Sequence, residues 1–203
     1  MGSASHNPPP PSEEATSPYF ASLPAAALPS VKPAGPGPLA RWLARQARWL
    51  RALAQPPDVS NVRAAVHRTE AEWRRLLSPL AYAVMRQQKT EAPFSGEYDA
   101  LFPEEGFFKC AACSRPLYSA QAKFNSGCGW PAFDKCYAGA VFMKRDRDGS
   151  RAEILCASCH GHLGHVFAGE GLTPTDERHC VNSVSIVYDA TAPPEKVREV
   201  MLT

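Results

Sequence analysis

Residues 175–187 read TDERHCVNSVSIV, with Arg178, Cys180 and Asn182 at alternate positions ahead of a β-branched run. Successive side chains of an extended chain point to opposite faces, so these three share one face and His179 and Val181 the other. A guanidinium beside a thiol favours the thiolate, the nucleophilic form, over a thiol of ordinary pKa about 8.5. A lone cysteine in such a run equally suits a buried core position. The segment by itself leaves both readings open.

Four further cysteines form two C-x-x-C pairs, Cys110-Ala-Ala-Cys113 and Cys156-Ala-Ser-Cys159, each leaving a short apolar run. Four thiolates from two tight turns suit a closed tetrahedral zinc site that stabilises the fold and leaves no position for substrate. Cys156 to His160 also spells C-x-x-C-H, a haem-attachment string, but haem would leave Cys110 and Cys113 without a role. Neither pair lies in the strand-to-helix context of a thioredoxin-like redox motif. Between the pairs lies SGCGWPAF, residues 126–133, where Gly127 and Gly129 let the chain turn and keep the Cys128 sulfur accessible. Trp130 is either an aromatic wall beside that sulfur or a core plug. In HGHLGHVF, His162 and His165 stand three apart; either alone is most simply a structural histidine.

These residues need a scaffold, and 203 residues allow one domain with a real core plus an appendage. Seven cysteines, an odd number, fit metal ligation and reactive thiols in a reducing compartment better than a disulfide framework. A net charge of +2 with scattered Lys and Arg argues against nucleic acid. No apolar run is long enough to span a membrane, so no stable insertion is expected.

Residues 1–58 form a Pro/Ala-rich extension carrying most of the 20 prolines, and residues 1–38 are expected to lack order. Within it, residues 39–54 read as a basic amphipathic helix without an acidic residue, suited to organellar targeting, to a membrane surface or simply to packing. Thr69 and Glu72 form a capping box for a second helix, and Ser78-Pro79 opens a third running to about Gln88. The runs FSGEY, FFKC, LYS, AVFMKR, AEILC, HVF and NSVSIVY then predict short strands of a mainly β, antiparallel core with a helical preface.

Taken in order, SGCGWPAF, the second C-x-x-C, HLGHVF and RHCVNS resemble the methionine sulfoxide reductase B family, as does the lead-in EWRRLLSPLAYAVMRQQKTEAPFSGEY. The resemblance spans roughly Glu70 to Tyr188 and places the catalytic domain at 66–190, with a C-terminal tail at 191–203. It implies two antiparallel sheets stapled by zinc, and reduction of the R epimer of methionine sulfoxide. Carried over by position, Cys180 is the catalytic thiol and Cys128 the resolving thiol. His162, His165, Arg178, Asn182 and Trp130 match active-site residues, and Cys110, Cys113, Cys156 and Cys159 the zinc ligands.

The implied cycle forms a sulfenic acid on Cys180, then a disulfide with Cys128 that a thioredoxin-like dithiol reduces. Oxidised proteins or peptides are the expected substrates, the free amino acid being left open, and a monomer in the cytosol or an organelle is expected. Arg178 either activates Cys180 or positions substrate. Cys136 is a buried spare or a second exchanging thiol. A non-catalytic zinc module that binds other macromolecules is the alternative, and it would leave Cys128, Cys180, Arg178 and the histidines idle.

Overall fold

The computed structural model describes residues 37–54, 64–146, 150–193 and 198–202. The expected lack of order over residues 1–38 therefore falls, up to residue 36, outside the described residues. Three helices come first: α1 (Pro38–Ala54), α2 (Glu70–Leu76) and α3 (Pro79–Gln87). The capping box forms in both directions, with Thr69 N–H donating to the Glu72 carboxylate (2.7 Å) and Glu72 N–H to Thr69 Oγ1 (3.3 Å). Ser78 Oγ accepts from Ala81 N–H (3.2 Å) and Pro79 follows it, as a helix start requires. The helix α3 ends where Gln88 turns left-handed (φ 58°). Exposed Leu39, Trp42, Leu43 and Leu50 mark one side of α1, whose Gln46 donates to the Gly169 carbonyl (3.3 Å).

The strands follow as β1 (Phe107–Cys110), β2 (Pro116–Ser119), β3 (Lys123–Phe124), β4 (Ala132–Phe133), β5 (Cys136–Tyr137), β6 (Val141–Arg145), β7 (Ala152–Cys156), β8 (His162–Ala168), β9 (Glu177–Val181), β10 (Ile186–Asp189) and β11 (Glu199–Val200). They pair antiparallel in a six-stranded sheet ordered β3-β4-β9-β8-β7-β6, a three-stranded sheet ordered β10-β1-β2, and the pair β11-β5. Trp73 and Met85 of the helices join Phe108, Tyr118, Phe133, Ile154 and Leu163 in one apolar core. Tyr118 stacks on Phe133 with ring centres 4.2 Å apart, and Phe108 meets Phe133 edge-on at 5.2 Å.

Three segments depart from the sequence expectation. FSGEY is a run of turns rather than a strand, because Phe94 adopts φ 61° and Ser95 Oγ bonds back to the Ala92 carbonyl (2.7 Å). NSVSIVY is not continuous: residues Ser183–Ser185 form a 3-10 turn held from outside by the buried Glu91 carboxylate, which accepts from Ser183 N–H (2.5 Å) and Val184 N–H (3.1 Å). The expected C-terminal tail contains β11, and Leu202 N–H reaches the buried Glu177 carboxylate (2.9 Å).

Candidate active site and metal centre

Cys110 closes β1 of the three-stranded sheet and Cys156 closes β7 of the six-stranded one. Each C-x-x-C turn closes with a hydrogen bond, Ser114 N–H to the Cys110 carbonyl (2.8 Å) and His160 N–H to the Cys156 carbonyl (2.9 Å). The residue that follows each pair turns left-handed, Ser114 at φ 61° and His160 at φ 58°. The four sulfurs lie within 4.8 Å of one another, with Cys110–Cys159 and Cys113–Cys156 contacts of 3.6 Å. Bonds of about 2.3 Å from a tetrahedral metal to sulfur would set sulfur spacings of roughly 3.8 Å, so the cluster fits a closed metal site. Hydrogen bonds among the sulfurs lower Cys113 and Cys156 and hold Cys110 and Cys159 up; a cation would favour the anion at all four. His160 lies edge-on to Phe142 (5.1 Å).

Two further sulfurs meet at the centre of the large sheet. Cys180 lies on β9 between two partners, Ala132 of β4 and His165 of β8. The Gly-rich turn before β4 brings the Cys128 sulfur to 3.7 Å from that of Cys180. Neither sulfur is in a disulfide, and either can donate a hydrogen bond to the other. The hydrogen bond from Cys180, helped by Ser126 Oγ (3.0 Å), draws Cys128 down to about 5 and raises Cys180, whose burial adds to the rise. Arg178 favours the anion at both sulfurs. Its guanidinium is pinned by two hydrogen bonds of 2.7 Å to Glu170 and lies 4.3 Å over the Phe167 ring. The charge therefore belongs to the pair, with Arg178 stabilising it, rather than to Cys180 alone.

Beside the sulfurs is a cavity of about 110 Å³ lined by Trp130, Phe167, His165, Cys180 and Asn182, among others. That size suits the end of one side chain. Trp130 is a wall of this cavity rather than a core plug, fixed by its Nε1–H donating to the Glu91 carbonyl (3.2 Å). Asn182 is buried and oriented from both ends, donating to the Leu163 carbonyl (3.0 Å) and accepting from Glu91 N–H (3.0 Å). Burial, joined by Arg151 and His162, lowers His165, while the Asp146 carboxylate 3.3 Å from Nε2 opposes the change. His162 Nδ1 bonds the buried Glu153 carboxylate (2.7 Å). Burial raises Glu153, but the hydrogen bond from His162, with the Lys144 charge and the Gln88 amide, outweighs it and leaves that carboxyl lowered.

All seven proposed site residues thus gather around one cavity and its rim, and the four proposed metal ligands form one cluster. Sequence reasoning missed Glu91, Asp146, Glu153 and Glu170. Each acts through a contact distant in sequence or across a hairpin, and the only local hint was an acidic residue inside an apolar or β-rich run.

The profile described as the SelR domain matches residues 77–190. A peptide methionine sulfoxide reductase B5 of Arabidopsis thaliana is 58% identical over 125 residues, covering 61% of this chain and 89% of the relative. Peptide methionine sulfoxide reductase B4 of the same plant is 54% identical over 63% of this chain and 92% of its own. A chloroplastic form, B2, is 51% identical over 66% of each. The profile covers more than half of the chain, and the chain belongs to the methionine sulfoxide reductase B family.

Proposed function

We propose that the chain reduces the R epimer of methionine sulfoxide in oxidised peptides and proteins. The observation that carries this reading is the 3.7 Å contact of the Cys128 and Cys180 sulfurs at the mouth of a small cavity with an aromatic wall. The Cys180 sulfur attacks the sulfoxide sulfur while the oxygen takes up a proton, for which His165, paired across from Cys180, is the donor. The new bond between the two sulfurs then breaks as the hydroxyl passes from the substrate sulfur to Cys180, so methionine leaves and Cys180 is left as a sulfenic acid. Cys128 then attacks that sulfur, water departs, and a disulfide joins the two; a thioredoxin-like dithiol reduces it by exchange.

Trp130 takes the S-methyl group, so the epimer with oxygen and methyl exchanged presents its oxygen to the indole instead. Asn182 and His162 fix the polar side of the site, and Arg178 holds the charge on the sulfurs. Zinc on Cys110, Cys113, Cys156 and Cys159 is the reading for the metal, with a structural role only. Relatives with chloroplastic names make a plastid one candidate destination, beside the cytosol and the mitochondrion. Among the described residues no helix is long and apolar enough to cross a membrane.

The test is an assay of both epimers of a peptide substrate with dithiothreitol, on wild type and Cys180→Ser. Turnover of the R epimer alone, lost in the variant, is expected. No turnover of either epimer by zinc-replete protein would favour the non-catalytic module.

A further inference from the structure

Resting on that reductase reading, we propose that a groove beside the catalytic cavity selects peptides with an acidic residue next to the methionine sulfoxide, through Lys144 and Arg145. The groove has a volume of about 650 Å³ and shares Thr90, Arg151 and His165 with the cavity that holds Cys180. A peptide whose oxidised side chain fills the cavity therefore lays its neighbouring residues in the groove.

The charges there are mostly committed. Asp146 is bound by Arg151 (3.0 Å) and faces His165 (3.3 Å). Glu153 accepts from Gln88 (3.0 Å) and bonds His162 (2.7 Å). Arg86 is held by Glu70 (2.8 Å) and by the Cys159 carbonyl (3.2 Å). Lys144 and Arg145, exposed at the end of β6, form no ion pair among the described residues. The rim thus presents Lys144 and Arg145, of which Lys144 stands across the β6–β7 ladder from Glu153 and favours its charge, while Asp146 is met by Arg151.

A second feature points to a ligand. His162 is 2% exposed and lines the groove, and its Nε2 has no hydrogen-bond partner. With Nδ1–H donated to Glu153, Nε2 is left as an acceptor, the group that a main-chain N–H of a bound peptide satisfies. An acceptor in the floor and cations at the rim complement a peptide whose N–H points inward and whose carboxylate side chain stays at the edge.

The test uses the full chain with dithiothreitol and matched peptides bearing Glu, Gln or Lys on either side of the R sulfoxide. On one side, kcat/KM is expected to be about threefold to tenfold higher for Glu than for Lys at low salt, as weakly screened surface ion pairs allow. The difference should shrink toward unity at about 1 M salt. Lys144→Glu with Arg145→Glu, both exposed and outside the core, should invert the order. Equal rates for all three peptides, or a preference that survives the charge reversal, would overturn the proposal. Failure of the wild type to reduce any R-sulfoxide peptide would overturn the reductase reading instead.

Discussion

Cys180 and His165 are directly paired residues of adjacent antiparallel strands, so the backbone ladder itself sets how far the imidazole stands from the sulfur. The next position on β8, Gly164, makes the approach close: a Cβ built there would meet the Cys180 carbonyl oxygen at 1.9 Å. Flexible side-chain adjustment cannot relieve a clash with backbone.

Gly164→Ala must therefore push β8 from β9 and move His165 away from Cys180. A displacement on the order of 1 Å at a reacting pair costs about 100-fold in rate. Single-turnover methionine formation is the measurement, with metal content as the control that the fold survives. A rate within twofold of wild type would show that the pair is not held by this contact.

The pH profile of the same single turnover should be a narrow bell. The sulfur pair loses its negative charge as pH falls through about 5, and His165 loses its proton as pH rises through a value below its ordinary 6.5 or so. Asp146→Asn removes the carboxylate that opposes the lowering of His165, so the alkaline limb should move to still lower pH. An alkaline limb unmoved by that change would remove His165 as the proton donor.

Replacing each sulfur separates the two halves of the cycle. Cys180→Ser is expected to form no methionine even in a single turnover. Cys128→Ser should release one methionine per enzyme and then stall with thioredoxin, while retaining a sulfenic acid that dimedone captures. Multiple turnovers of Cys128→Ser with thioredoxin at the wild-type rate would end its resolving role.

Metal removal is expected to act on the fold before the chemistry. Structural zinc contributes on the order of 10 kcal/mol of binding free energy, comparable with the whole stability of a domain, about 5 to 15 kcal/mol. Chelation, or Cys113→Ser, should therefore separate the sheets that Cys110 and Cys156 join and collapse the thermal transition. One bound zinc per chain by elemental analysis is the companion expectation. A metal-free protein with an unchanged melting temperature would contradict the staple.

What the sequence revealed follows from the range of its signals. The C-x-x-C pairs, the capping box at Thr69 and the alternation of Arg178 and Cys180 on β9 are local patterns, and each forms as expected, while Asn182 falls just past the strand. Glu91 could not be found that way. It is buried, and its carbonyl, amide and carboxylate bind Trp130, Asn182, Ser183 and Val184, all distant in sequence. Glu170 beside Arg178 and Glu153 beside His162 are nearer in sequence, but their partners are brought round only by the β8–β9 and β7–β8 hairpins. FSGEY misled because its β-forming residues sit in turns set by the left-handed Phe94.

The seventh sulfur shows how the fold keeps its thiols from interfering with one another. Cys136 lies buried on β5 under the Val200 carbonyl of β11, and burial, with Glu177 and Glu199 nearby, pushes its thiol up to about 12. At neutral pH the anion is then about one part in 10⁵, too scarce to intercept a sulfenic acid or a disulfide. Under the proposed cycle, one chain would hold a metal with four cysteines and carry two more through oxidation. The remaining sulfur would stand apart from both, which would hold down wrong disulfide pairing in that cycle.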